Sequence, residues 1–160
     1  MSHLIKMFRL REPKLNIKTA IGILQENGFP ERYLRGNWNR VDANIIKIVK
    51  KYIENDFIGD KPRFRGIYIC GARGVGKSTL AAMIATYLQR TFYTVQRFIA
   101  STELVGWAIR ASKENSPAFD SVKTGEILYI DDLKKEYESP FALSKLTELI
   151  EARYSRYLPT

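Results

Sequence analysis

Two spacings of apolar residues alternate along the chain and predict helices and strands in turn. A first helix is predicted from Asn16 to Asn27, since apolar residues recur there at helical spacing and Asn16 can cap its start. Asp42 can cap a second helix that extends to about Asn55. A third apolar stripe, at Leu80, Ile84 and Leu88, predicts another helix.

Three short runs rich in β-branched and aromatic residues predict strands. They are Gly66–Cys70, Thr94–Ile99 and Glu126–Asp132. A helix that starts at Ser101 or Thr102 separates the last two, followed by a loop and a short helix broken by Pro117. The order of elements predicts an α/β fold with a parallel sheet flanked by helices.

The last predicted helix begins at Pro140, because proline is favoured in the first turn. Its apolar side chains at Leu143, Leu146 and Ile150 are expected to face the core.

The stretch between the first predicted strand and the third helix fits G-x-x-x-x-G-K-[ST], the pattern of a phosphate-binding loop. Glycines allow a tight turn whose backbone N–H groups converge on phosphate oxygens, and the following helix N-terminus adds partial positive charge. Lys77 is expected to reach the β- and γ-phosphates, and Ser78 to ligate Mg²⁺. The predicted nucleotide-binding residues are Gly71, Ala72, Arg73, Gly74, Val75, Gly76, Lys77, Ser78 and Thr79.

Two carboxylates at the end of the third predicted strand supply the rest of a phosphoryl-transfer site. Mg²⁺ prefers hard oxygen ligands, so Asp131 is the candidate second metal ligand. Asp132 is the candidate base that polarises an attacking water. The alternative is that this pair only caps the next segment.

Composition and charge narrow the class of protein. The chain has 160 residues and no apolar run near the roughly 20 residues that a membrane span needs. We therefore expect one soluble, cytoplasmic domain without a membrane partner. The net charge of +9, from 26 Lys and Arg against 17 Asp and Glu, suits a nucleic-acid partner. The single cysteine, Cys70, is predicted to be a buried strand residue.

The loop, the Ile127–Leu133 strand and the terminal stretch Leu149–Thr160 occur in an order that resembles a known family. They are similar to AAA+ ATPases of the DnaC/DnaI helicase-loader and IstB transposition-helper type. The lead-in Phe29–Tyr33 is also similar, so the resemblance covers about residues 29–160. It implies an AAA+ P-loop ATPase core at 29–160, preceded by a short helical segment at 1–28 that could dock a partner protein.

The resemblance also implies roles for individual residues. It places ATP phosphates on the loop, Mg²⁺ on Ser78 and Asp131, and Lys77 and Asp132 in catalytic roles. The Tyr33–Trp38 segment would lie near the adenine. Two arginines, Arg153 and Arg156, would either face a neighbouring subunit or lie at a solvated helix end.

In that family a further strand begins at Pro159 and Thr160 and lies between the loop's strand and the Asp131 strand. The sheet is therefore predicted to be an incomplete core that lacks later strands. We expect these residues to belong to a longer protein, unless another element fills the gap. Efficient hydrolysis would then need a sensor residue and an arginine finger from elsewhere.

The implied function is a Mg²⁺-dependent ATPase that self-associates through its ATP site, contacts single-stranded DNA and delivers a replicative helicase. A transposition helper of the same build is the nearest alternative. A small P-loop kinase is another, and in it the acidic strand would adjoin the loop's strand directly. A third alternative is an interaction module that binds nucleotide without hydrolysing it.

Overall fold

The computed structural model describes residues 14–58, 63–111, 117–125, 127–133 and 139–160. Within these ranges, no helix is both long enough and apolar enough to cross a membrane. Residues 1–13 of the predicted docking segment and Glu126 lie outside the described residues. The chain divides into two compact units, Met1–Phe64 with Tyr68–Thr94 and Arg65–Ile67 with Val95–Thr160.

The regular elements in the described part of the first unit are all helical. Its elements are α1 (Ile17–Glu26), α2 (Glu31–Leu34), a 3-10 turn (Trp38–Arg40), α3 (Ala43–Ile53), a π-helical turn (Glu54–Ile58) and α4 (Lys77–Phe92).

Both predicted helix caps are confirmed. The Asn16 side chain accepts a hydrogen bond from the backbone N–H of Thr19 at 2.9 Å, and Asp42 accepts one from Asn44 at 2.8 Å. Each bond satisfies a backbone donor that the first turn of a helix leaves without an intrahelical partner.

A close approach holds the Tyr33–Trp38 segment against α4. A Cβ built on Gly36 would lie 2.5 Å from the Met83 side chain and 2.8 Å from the Thr79 methyl group. Only glycine leaves room for this contact, so the segment packs on the turns of α4 that directly follow the predicted loop.

The second unit contains a two-stranded parallel sheet. Its elements are β1 (Gln96–Ala100), α5 (Ser101–Ala111), α6 (Pro117–Thr124), β2 (Ile127–Asp131) and α7 (Pro140–Tyr154). The strands pair in register from Gln96 with Ile127 to Ala100 with Asp131. The buried core is formed by Ile99, Leu104, Ala108, Phe119, Val122, Leu128 and Leu149. The α/β fold class with a parallel sheet is confirmed, and Pro117 begins α6 instead of breaking a helix.

The prediction for the inner face of α7 was largely wrong. Leu143 and Ile150 are 50% and 45% exposed, and only Leu146 packs against the core. The buried positions are Ala142, Leu149 and Arg153. Arg153 interrupts the apolar pattern of the buried face. A prediction from hydrophobicity alone therefore assigned the neighbouring, more apolar face to the core.

The predicted strand at Gly66–Cys70 is absent from the structure, in which these residues are described but do not form a ladder. Tyr68 is 76% exposed, and Cys70 is also exposed, against the prediction that it is buried. The backbone N–H of Ile67 donates to the carbonyl of Thr160 at 3.1 Å. A β-rich run becomes a strand only when neighbouring strands satisfy its backbone, and this one bond does not build a ladder.

Candidate functional site

Three glycines shape the predicted phosphate loop. Gly71, Gly74 and Gly76 have φ angles of 150°, 81° and 93°, a region that favours glycine. Gly76 is also the residue that precedes the first turn of α4. Among the described residues other than the chain neighbours, no heavy atom lies within 4 Å of a Cβ built on Gly74 or Gly76, so this side of the loop is open to them.

The start of α4 presents backbone donors to the loop. The first intrahelical bond runs from the N–H of Leu80 to the carbonyl of Gly76 at 2.8 Å. The N–H groups of Lys77, Ser78 and Thr79 therefore precede the helical ladder, where the helix dipole favours an anion. This arrangement fits a phosphate group.

The Lys77 ammonium group is held over the same loop. Its Nζ donates to the carbonyls of Gly71 at 3.0 Å and Ala72 at 2.8 Å. A lysine in this position adds a full positive charge to the partial charges of the backbone donors. Open space, backbone donors and a cation together fit the terminal phosphates of a nucleoside triphosphate.

The two predicted carboxylates follow each other at the end of β2. Asp131 is the last residue of the strand and is partly buried, whereas Asp132 is exposed. Asp132 has a φ of 60°, in the left-handed region that costs a non-glycine residue about 1 kcal/mol. The bend turns the chain away from the strand direction directly after Asp131.

A buried serine, whose sequence position predicts only a helix cap, supports this bend. Ser101 is 1% exposed, and its hydroxyl donates to the carbonyl of Asp132 at 2.8 Å. Because Ala100 pairs with Asp131 in parallel register, the residues that follow the two strands are neighbours. The signal was therefore present in the order of predicted strands, since parallel strands end at one edge of a sheet.

The residues assigned to magnesium belong to different units. Ser78 lies in the first unit and Asp131 in the second. A hydroxyl, a carboxylate and phosphate oxygens are the hard donors that Mg²⁺ prefers, so the donor set fits this ion. The joint role of Ser78 and Asp131 stays a prediction.

The two arginines near the end of the chain have different environments. Arg156 is exposed. Arg153 is 1% exposed and donates hydrogen bonds to Thr160 and to backbone carbonyls, including that of Pro159. The expectation that Arg153 faces a neighbouring subunit or solvent was therefore wrong.

In a comparison with known proteins, one family model covers the loop and the two aspartates together. A family model described as the AAA domain, dynein-related subfamily, matches residues 66–159, which is more than half of the chain. The match includes the loop, both aspartates and α7. No curated protein and no solved structure matches the chain. The comparison supports nucleotide binding by the loop and does not extend to the helicase-loader branch.

Proposed function

The chain belongs to the AAA family of nucleotide-binding ATPases, and we propose that it loads a replicative helicase onto single-stranded DNA. ATP binding is supported by the loop at the start of α4. This loop has an open side, and the Lys77 ammonium group lies hydrogen-bonded against it. The loader part rests on the resemblance of Asp131-Asp132-Leu133 and of the stretch Leu149–Thr160 to that branch.

In the proposed mechanism, the backbone donors of the loop bind the phosphates of ATP and Lys77 reaches the β- and γ-phosphates. Ser78 and Asp131 would hold Mg²⁺, and the bound ion would neutralise charge on the phosphates. Asp132 orients and polarises the attacking water, a role that needs a carboxylate within hydrogen-bond reach of that water. Tyr33–Trp38 lies on the adenine side of the loop.

The nucleotide acts as a switch in this proposal. ATP orders an interface with a second copy of the chain, and hydrolysis releases it. Groups that complete hydrolysis, such as an arginine finger, come from outside the site residues named here.

Single-stranded DNA is the proposed polyanionic partner. The chain carries a net charge of +9, and the exposed basic residues of the first unit include Arg40, Lys47 and Lys51. Lys47 and Lys51 are four residues apart on one face of α3, where like charges repel unless an anion lies nearby. Binding through phosphate contacts would weaken steeply as the salt concentration rises.

A helicase-loading assay tests the proposal. The purified protein is mixed with a replicative helicase, single-stranded circular DNA and ATP, and loaded helicase is counted for the unchanged protein and for Lys77→Ala. The control is Arg110→Ala, which removes an exposed cation on α5, outside the predicted docking segment. We expect Lys77→Ala to fail in loading and the control variant to load helicase as the unchanged protein does.

Normal loading by Lys77→Ala would contradict the ATP switch. Capture of a transposase but not of a helicase in a parallel pull-down would assign the chain to transposition. Release of ADP only in the presence of a small acceptor substrate would assign it to the kinases.

A further inference from the structure

The guanidinium of Arg153 on α7 is buried in the second unit and donates several hydrogen bonds there. Arginine has five N–H donors, and four of them are accounted for by hydrogen bonds within the second unit. Their acceptors are Thr160 Oγ1 at 2.7 Å, the Val122 carbonyl at 2.6 Å, the Gly125 carbonyl at 2.8 Å and the Pro159 carbonyl at 2.8 Å.

Removing this cation from water costs free energy, and its hydrogen bonds offset that cost. Desolvation lowers the pKa of Arg153 to about 10, and the group still carries its charge at neutral pH. An apolar side chain would fill the same space without removing a charge from water. The planar fork of donors is what an apolar residue cannot supply.

The fork joins three parts of the second unit. It binds the end of α6 at Val122 and the following turn at Gly125, and it binds the short segment Pro159–Thr160. The chain reaches that segment by a turn after α7, in which the N–H of Leu158 donates to the Arg153 carbonyl at 3.0 Å. The backbone carbonyl of Arg153 therefore binds the residue that precedes this segment, and the side chain binds the segment itself.

The segment held by Arg153 bonds in turn to two others. The N–H of Leu128, in β2, donates to the Pro159 carbonyl at 3.2 Å, and the N–H of Ile67 donates to the Thr160 carbonyl at 3.1 Å. A Cβ on Gly66 would lie in severe contact with the Thr160 carbonyl, so glycine is required at this approach. Pro159–Thr160 thus occupies the position beside β2 where the family pattern predicts a further strand.

We propose that Arg153 is a positioning residue for the ATP site, because it fixes the register in which Pro159–Thr160 joins β2 to the Gly66–Ile67 segment. β2 ends at Asp131, and Ile67 lies four residues before the first glycine of the phosphate loop. The inference rests on the proposed function, in which Asp131 and the loop serve one nucleotide. In this role Arg153 acts through the segment that it binds and not through a contact with the nucleotide.

The test compares Arg153→Lys with the matched control Arg156→Lys, an exposed arginine three residues further on. Lysine keeps the positive charge and a long side chain, so the variant is expected to fold. It cannot reproduce the planar fork of donors, so the hydrogen bonds of Arg153 are lost in part. Amide hydrogen exchange at Ile67 and Leu128 reports the register directly. We expect at least about tenfold faster exchange there, the factor that corresponds to about 1.4 kcal/mol, and no change at Ile99 or at Leu88 in α4.

Steady-state kinetics provide the second readout. Because the loop forms its own geometry in the first unit, Arg153→Lys is expected to lower kcat about tenfold or more and to leave KM within about threefold. Thr160→Val, which removes one of the four acceptors, is expected to shift exchange and kcat in the same direction by a smaller factor. Arg156→Lys is expected to match the unchanged protein in both readouts.

Three results would overturn the inference. They are identical behaviour of Arg153→Lys and Arg156→Lys, a uniform rise in exchange across the second unit, and a loss of ATP affinity with kcat unchanged. If the unchanged protein neither binds nor hydrolyses ATP, the proposed function fails. The exchange rates of Ile67 and Leu128 then still decide whether Arg153 sets the register.

Discussion

Gly76 and Asp132 have the same type of backbone conformation in the two groups of predicted site residues. These groups are the phosphate loop of the first unit and the carboxylates after β2 in the second unit, called here the first and second halves of the predicted site. Gly76 has a φ of 93° at the start of α4, and Asp132 has a φ of 60° after β2. Glycine adopts this region freely, whereas an aspartate pays about 1 kcal/mol and is held by the Ser101 hydroxyl. The loop is therefore built from unstrained local geometry, and the carboxylate end depends on a contact from Ser101, the residue that follows the neighbouring strand.

Because the loop and the carboxylate end are supported differently, we expect nucleotide binding to depend mainly on the loop and hydrolysis mainly on the carboxylates. A phosphate loop built from glycine and backbone donors can bind an anion without help from other elements. The carboxylates depend on the pairing of β2 with β1 and on the residue that follows β1. Variants of the first half should change affinity, and variants of the second half should change turnover.

Asp132→Asn is the change expected to have the largest effect. Asparagine tolerates the left-handed conformation as aspartate does but cannot accept a proton, so kcat should fall about 10²- to 10⁴-fold. Nucleotide affinity and the free energy of unfolding should stay within experimental error. Phosphate-release kinetics and a fluorescent-nucleotide titration measure the two quantities.

The control at this position is Asp132→Gly. Glycine relieves the backbone strain, so this variant should be as inactive as Asp132→Asn but equally or more stable. Full activity in either variant would show that Asp132 is not the base.

Gly76→Ala tests the other half and should have the next largest effect. The new methyl group meets no atom of a described residue beyond its chain neighbours within 4 Å, so the cost is backbone strain of about 1–2 kcal/mol and loss of space for phosphate. Nucleotide affinity should fall about tenfold or more, as measured by titration.

Its matched control is Gly22→Ala in α1, where a methyl group also meets open space but φ is helical. Alanine there should stabilise the fold by about 0.5–1 kcal/mol with no change in affinity. Equal effects of the two alanines would contradict the role assigned to the loop.

The contrast between the halves also explains what sequence could predict. The loop, the caps at Asn16 and Asp42 and the start of α7 at Pro140 follow from residues close together in the chain, and all these local elements are confirmed. The burial of Arg153 depends on Val122, Gly125 and the segment after α7, and no local pattern encodes such a contact. The Gly66–Cys70 prediction failed for the same reason, since a strand needs partners.

Glu148→Gln should have the smallest effect and involves neither half of the site. Hydrogen bonds from Lys123 at 2.6 Å and Lys145 at 2.7 Å lower the pKa of Glu148 below its ordinary value near 4.5. The stabilisation is therefore complete above pH 4.5 and is lost as the pH falls through the lowered pKa. The side chain is 41% exposed, so solvent screening limits the loss at pH 7 to about 1 kcal/mol.

Urea unfolding at pH 7 and at several values below 4.5 measures this difference. Glu151→Gln, on the exposed side of the same helix, is the control and should change stability less. A difference for Glu148→Gln that persists unchanged at low pH would contradict the assigned ion pairs.

The central claim is that the loop at the start of α4 binds ATP. The most direct measurement is the free energy of unfolding with and without Mg-ATP for the unchanged protein, Lys77→Ala and the control Lys18→Ala. At about 100 times the dissociation constant, ATP should stabilise the unchanged protein and Lys18→Ala by about 2.7 kcal/mol and Lys77→Ala hardly at all. Equal stabilisation of all three proteins would contradict the claim.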